Sequence, residues 1–251
     1  MYKIYGITDK GLVYEHNEDC FMVNSDVCFD KLNIEVDSQC ILAAVADGVG
    51  GENAGELASR MCLEKLAVMD MNLDLEEIRE YIKGISQDIS DFALNKPELS
   101  GMATTLAGVI CSGDRFIILN VGNSRVYRFR NGNLRQFTID DTLVQIMYDS
   151  GQITREEMGN HPNRHVLLQA IGKGNINTPI DVHLHEAKNP MEKGDILLLC
   201  TDGLSDLVNN DEIKNSLESS IEIEEMAEEL VKKAKIAGGY DNITVLMIKR
   251  H

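Results

Sequence analysis

Two apolar runs, Thr104–Cys111 and Phe116–Val121, are separated only by Ser112-Gly113-Asp114-Arg115. That linker is too short for the crossover helix a parallel pair needs, so the two runs must be antiparallel neighbours in one sheet. Further strand-like runs rich in β-branched or aromatic residues lie at Tyr2–Ile7, Ile41–Asp47, Arg125–Arg130, Ile180–His185, Asp195–Cys200 and Ile243–Lys249. Helical patterns cover Asn53–Val68, Leu75–Leu94, Leu143–Tyr148 and Ile223–Lys235. Strands outnumber helices and do not alternate strictly with them. The pattern therefore predicts an α+β fold or layered sandwich rather than a doubly wound parallel sheet. No internal repeat, Pro- or Ser-rich linker or shift of composition marks a boundary, so residues 1–251 read as a single domain.

Charge narrows the partners. With 24 basic and 41 acidic side chains the formal charge is −17, which argues against nucleic acid and against an anionic membrane surface. Met1 to Ile7 has no basic stretch leading into an apolar one, and no apolar run approaches the ~18–20 residues of a membrane span. The expected location is the cytoplasm. Cys20, Cys28, Cys40, Cys62, Cys111 and Cys200 form no Cys-x-x-Cys pair, so they read as free thiols, most of them buried, in a reducing compartment.

The acidic residues at strand ends are the candidates for chemistry. Ile41-Leu42-Ala43-Ala44-Val45-Ala46 ends in Asp47-Gly48-Val49-Gly50-Gly51, and Ile196-Leu197-Leu198-Leu199-Cys200-Thr201 ends in Asp202-Gly203. Asp241-Asn242 precedes the run Ile243–Ile248, and Asn17-Glu18-Asp19 adds two further carboxylates. A single Asp-Gly after a strand is usually a turn, in which Gly supplies positive φ. Two such junctions, with Gly letting the backbone approach a cation, fit a hard divalent ion held by carboxylate and carbonyl oxygens. Converging carboxylates would otherwise repel one another and raise their pKa values.

The order of motifs resembles the metal-dependent protein serine/threonine phosphatases of the PPM (protein phosphatase 2C) type, in their bacterial branch, over essentially the whole chain. The resemblance runs through Thr8-Asp9-Lys10-Gly11 with Asn17-Glu18-Asp19, Ala46-Asp47-Gly48-Val49-Gly50-Gly51 and Gly101-Met102-Ala103-Thr104-Thr105. It continues through Val121-Gly122-Asn123-Ser124-Arg125-Val126-Tyr127, Thr201-Asp202-Gly203-Leu204-Ser205-Asp206 and Asp241-Asn242-Ile243-Thr244. It implies a four-layer α-β-β-α sandwich of two antiparallel sheets flanked by helix pairs, with two Mn²⁺ or Mg²⁺ ions at one edge. On the matching positions, Asp47 would bridge the ions, Gly48 would offer its carbonyl, and Asp202 and Asp241 would complete one shell. Glu18 and Asp19 would serve the other side. The implied reaction is hydrolysis of phosphoserine and phosphothreonine in proteins by water activated between the ions, in a monomer opposing a serine/threonine kinase in signalling. No Gly-x-Ser-x-Gly elbow and no His-Glu-x-x-His helix competes with that reading.

Two positions depart from the family pattern. Tyr14 stands where an arginine usually grips the substrate phosphate, and a phenol lacks the charged planar fork. Lys10, Arg164 and His16 are candidates to replace it. Asn123 stands where an aspartate contributes to a weak third ion, while Asp206, the other residue of that site, is present. The expectation is a slow enzyme with an intact two-ion core. The alternative reading is a phosphatase-like domain that binds metal or phosphoprotein with little catalysis. Segment 142–179 corresponds to the family's flap, and its glycines with His161-Pro162 suggest a mobile, irregular stretch. Gly48–Gly55 fails the dinucleotide spacing because Asn53 takes the last glycine position. His183 and His185 read as a solvated strand edge, and Glu218–Glu229 as a solvated helix face.

Overall fold

The computed structural model describes residues 1–38, 40–50, 54–173, 179–219 and 222–251. The first half contains β1 (Tyr2–Asp9), β2 (Cys20–Val23), β3 (Asp26–Cys28), β4 (Lys31–Val36), β5 (Cys40–Ala46) and β6 (Gly48–Val49), then α1 (Ala54–Leu66) and α2 (Leu75–Ala93). The strands β7 (Ala103–Thr104), β8 (Leu106–Ser112), β9 (Arg115–Val121), β10 (Arg125–Arg130) and β11 (Asn133–Gln136) follow, before the short helices α3 (Leu143–Asp149) and α4 (Arg155–Asn160). The chain closes with β12 (His183–Glu186), β13 (Ile196–Cys200), α5 (Asp202–Ser205), α6 (Asn210–Glu218), α7 (Ile223–Ile236) and β14 (Ile243–Arg250).

Two antiparallel sheets result, ordered β11-β10-β13-β14-β1-β4 and β12-β9-β8-β5-β2-β3. Their packing explains why the apolar runs are continuous rather than alternating. Along β5, Ile41, Ala43 and Val45 face the other sheet, where they meet Leu197, Leu199, Leu246 and Ile248. Leu42, Ala44 and Ala46 point the opposite way, onto α1 and α2 through Ala58, Cys62, Ile82 and Ile89. The other sheet repeats this arrangement. Leu198, Cys200 and Met247 pack beneath Leu230, Met226 and Ile213 of α7 and α6. A strand covered on both faces has no solvent side to mark with polar residues. The layering is helix pair, sheet, sheet, helices, as expected from the sequence.

Several elements differ from the sequence reading. The predicted helix start at Asn53 and the last glycine of the Asp47–Gly51 motif lie outside the described residues, and α1 ends at Leu66 rather than Val68. The predicted strand 180–185 shrinks to His183–Glu186, because Ile180 and Val182 turn into the core under α1 and α2. Segment 142–179 is not irregular where it is described. Thr142 caps α3 by accepting from the Gln145 amide, and Thr154 with Glu157 forms a capping box that starts α4. The acidic stretch 218–229 is two helix ends rather than one solvated face, and residues 220 and 221 lie outside the described residues. Lys3 Nζ reaches Glu222 at 2.7 Å and Glu224 at 3.0 Å, and Lys31 Nζ reaches Glu228 at 2.8 Å, which ties α7 to the sheet edge. His183 does lie on an edge strand, but its Nε2 meets Asp141 Oδ1 at 2.8 Å. All six cysteines are free; Cys20, Cys62, Cys111 and Cys200 are buried, while Cys28 and Cys40 are partly exposed.

Candidate active site

Strand register brings the acidic segments to one end of the sandwich. Cys20 pairs with Ala46, so Asp19 and Asp47 leave the sheet side by side. Cys200 pairs with Val245 and Asp9 with Ile243, which sets Asp202 beside the segment Asp241-Asn242 and beside the end of β1. Four strands from two sheets thus deliver carboxylates to a common rim.

The glycine after each aspartate allows the final approach. A Cβ at Gly203 would overlap the Asn242 carbonyl oxygen and stand 2.9 Å from its carbon. A Cβ at Gly48 would overlap the Gly55 carbonyl and stand 2.7 Å from the Glu18 carbonyl oxygen. Neither glycine has positive φ, so the turn chemistry expected of Asp-Gly is not what these positions use. They are places where one backbone presses on another, and through them Asp202 abuts Asp241 while Asp47 abuts Glu18.

Side chains that the sequence reading had given no role fix these segments. Asn242 Oδ1 accepts from the Glu18 amide at 2.7 Å, and its Nδ2 donates to the carbonyls of Lys10 and His16, each at 3.0 Å. The Thr105 amide donates to the Asp47 carbonyl at 2.8 Å, and the Asp47 amide donates to Thr105 Oγ1 at 3.1 Å. Asp19 is buried, and its Oδ2 accepts from Thr201 Oγ1 at 2.8 Å and from Thr244 Oγ1 at 2.7 Å.

Glu18, Asp47, Gly48, Asp202, Asp206 and Asp241 all line one cavity of about 710 Å³. Tyr14 and Asn123 line it too, whereas Asp19 lies outside the lining. Of the candidates to replace the missing arginine, Arg164 and His16 line the cavity and Lys10 does not. Among the described residues Arg164 is the only lysine or arginine in that lining.

The carboxylates oppose one another's ionisation. Burial first, then the charges of Asp19, Asp202 and Asp241, holds Asp47 well above the usual carboxylate range. Burial raises Asp19 to about 8 despite its two hydroxyl donors. Asp241 rises to about 6, through burial and then Asp202. Glu18 is also raised, through burial and then Asp241. The Tyr14 phenol is pushed up chiefly by the Asp241 charge and then by burial, so Tyr14 stays a neutral donor. A second sign of a missing cationic partner is that Asp19 Oδ1, Asp202 Oδ1 and Asn123 Oδ1 are buried with no hydrogen-bond partner. Such acceptors are costly to bury, and a divalent cation satisfies them while reversing the repulsion. Carboxylates with a backbone carbonyl are the donor set that Mg²⁺ and Mn²⁺ take. The residues therefore fit such ions.

Comparison with known proteins agrees with this geometry. The profile of the family described as Protein phosphatase 2C matches residues 22–237. The serine/threonine phosphatase Stp of Listeria monocytogenes is 37% identical over 251 residues, which cover 97% of this chain and 94% of that relative. The solved serine/threonine phosphatase of S. agalactiae has a TM-score of 0.84 at 29% identity, covering 100% of both chains. The catalytic domain of the serine/threonine protein phosphatase PstP, solved in complex with two manganese ions, has a TM-score of 0.78 at 32% identity and covers 99% of both chains.

Proposed function

The chain belongs to the protein phosphatase 2C family, and from that premise we propose that Asp47, Asp202 and Asp241, with Glu18, Asp19 and the Gly48 carbonyl, hold its two Mn²⁺ or Mg²⁺ ions. The activity is hydrolysis of phosphoserine and phosphothreonine in proteins, and the non-catalytic alternative finds no support among relatives named as phosphatases. The observation that carries the site assignment is the convergence of these carboxylates, with unpartnered buried oxygens, in one cavity.

Two such ions supply acidity to an attacking water and charge to offset that of the phosphoryl transition state. The chain's own residues do the positioning. Thr201 and Thr244 aim Asp19, Asn242 aligns the Glu18 and Asp241 segments, and Thr105 clamps the Asp47 backbone. Arg164 takes the phosphate-gripping role that Tyr14 cannot fill, since a guanidinium binds phosphate oxygens bidentately and a phenol donates one bond. Placing this arginine on the flap makes phosphate binding depend on the flap's position.

The same proposal takes residues 1–251 as one phosphatase domain, supported by the core shared between the two sheets. It sets a monomer in a bacterial cytoplasm, opposing a serine/threonine kinase in signalling; the bacterial sources of the relatives support this. Among the described residues no helix is long and apolar enough to cross a membrane.

The test is phosphate release from a phosphothreonine peptide with Mn²⁺, with Mg²⁺ and with chelator, beside Asp47→Asn and Arg164→Ala. Release should require the ion, fall by at least ~10³-fold in Asp47→Asn, and show a raised KM in Arg164→Ala. Release that survives both chelator and Asp47→Asn would overturn the site assignment.

A further inference from the structure

Asp202 and Asp206 are four residues apart, and the Asp206 amide donates to the Asp202 carbonyl at 2.8 Å, so both side chains share one face of the turn formed by α5. Across from that face stands His165 of the flap, with Nδ1 3.0 Å from Asp206 Oδ2. One donor atom from each of His165, Asp202 and Asp206 lies within 4.8 Å of the others, close enough to surround a single ion. Asn123, 5% exposed, adjoins this group, and its Nδ2 donates to Asp202 Oδ2 at 2.7 Å. It presents a hydrogen-bond donor there and no charge. Asn123 Oδ1 and Asp202 Oδ1 are both left buried without a partner.

The flap holds its histidine in place. The Arg164 amide donates to the His161 carbonyl at 3.1 Å and the Val166 amide to the Asn163 carbonyl at 3.1 Å, closing a compact turn around residue 165. The next residues are fastened to the flap's base, where the Leu143 amide donates to the Val166 carbonyl at 2.9 Å and Thr142 bridges Leu167.

We propose that His165, with Asp202 and Asp206, forms a site for a further divalent transition-metal ion, the flap imidazole supplying the donor that the amide at 123 does not. This rests on the two-ion reading of the neighbouring carboxylates. An imidazole nitrogen suits first-row transition ions, whereas Mg²⁺ and Ca²⁺ take oxygen donors, so Mn²⁺ is selected over Mg²⁺ here even where the all-oxygen pair accepts either. Binding clips the flap to α5 and thereby steadies Arg164, the adjacent residue, at the cavity wall. Phosphate affinity is then coupled to occupancy of the histidine site.

The ligands assigned to the two-ion centre are all oxygens, which makes nitrogen diagnostic. In the Mn²⁺-loaded protein the electron spin echo should carry nitrogen modulation that disappears in His165→Ala and persists in His16→Ala, the control for the other histidine lining the cavity. Calorimetric titration should show the weakest Mn²⁺ site weakened by about tenfold or more in His165→Ala and in Asp206→Asn, with the tighter sites unchanged in His165→Ala. Hydrogen exchange in 155–168 should slow on adding Mn²⁺ to the wild type and not to His165→Ala. Tight Mn²⁺ binding without nitrogen modulation, or modulation and isotherms unaltered in His165→Ala, would overturn this proposal and leave the two-ion reading standing. Absence of tight Mn²⁺ binding in the wild type would overturn both.

Discussion

Substituting Gly203 by alanine tests whether backbone contact assembles the carboxylates. The added Cβ would overlap the Asn242 carbonyl oxygen and stand 2.9 Å from its carbon, and the next atom it meets is Ile243 Cα at 3.4 Å. These are main-chain atoms at the start of a central strand, so no side-chain rotation relieves the clash. The Asn242 carbonyl has to retreat by roughly 1 Å to reach ordinary contact distance. Overpacking of this kind costs about 1–3 kcal/mol, which for a chain of this size lowers Tm by roughly 3–9 °C. The same displacement draws Asp241 away from Asp202, and a misplacement near 1 Å at reacting groups costs on the order of 10²-fold in rate. Gly84 is the control. It lies exposed in α2 with nothing within 4 Å of its Cβ position and no positive φ, so Gly84→Ala should gain about 0.5–1 kcal/mol and leave activity alone. Melting curves and kcat/KM on a phosphothreonine peptide measure both variants. Gly203→Ala with wild-type Tm and kcat/KM within threefold of wild type would refute the argument.

Other consequences follow from particular contacts. Asn123→Asp replaces the 2.7 Å donor to Asp202 by a second carboxylate; in chelator it should lose about 1–3 kcal/mol, and added Mn²⁺ should raise its Tm by more than that of the wild type. An equal Mn²⁺ response in the two proteins would contradict that account. The Asp141 contact raises the His183 pKa above its ordinary 6.5, so this pair stabilises the fold fully below that value and ceases to do so as pH rises through the raised one. His183→Ala should therefore cost about 0.2–1 kcal/mol at pH 5.5 and almost nothing at pH 9, and a pH-independent difference in Tm would exclude the ion pair. The net charge of −17 should favour basic phosphopeptides over acidic ones by roughly threefold or more in kcat/KM at low salt, a preference that salt erases. Equal, salt-independent rates for the two peptides would show that charge does not steer encounter.

The layers were legible because burial leaves a direct trace in residue choice. β5, β8, β9, β13 and β14 are apolar on both faces, and their sequences read as strands for that reason. The four-residue β2 and the alternating edge strand β4, Lys-Leu-Asn-Ile-Glu-Val, escaped notice because shortness and exposed charge dilute the same signal. Helix α4 carried a readable mark, Thr154-x-x-Glu157, that the glycines and proline around it obscured. Asp47, Asp202 and Asp241 were recognisable as carboxylates at strand ends. Their supports, Thr201, Thr244 and Asn242, were not, since a threonine in a strand is equally at home as β-propensity filler.

The hydroxyl chain behind Asp19 shows why such supports escape a linear reading. Thr8 Oγ1 and Thr244 Oγ1 are 2.7 Å apart, Asn17 Nδ2 donates to Thr8 at 2.8 Å, and Thr244 and Thr201 both reach Asp19 Oδ2. These residues come from β1, β14, the end of β13 and the segment before β2, up to 236 positions apart. Nothing local in the sequence distinguishes them, because their function exists only once strand register has set β1 beside β14 and β14 beside β13. The same register that buries the apolar faces therefore selects which polar residues meet at the strand ends. A one-residue slip of β14 would reverse its faces and move Thr244 and Asp241 away from Asp19 and Asp202 together. Core packing and metal-site geometry are in this sense one constraint: the apolar side chains that fix the register also hold the carboxylates against their mutual repulsion.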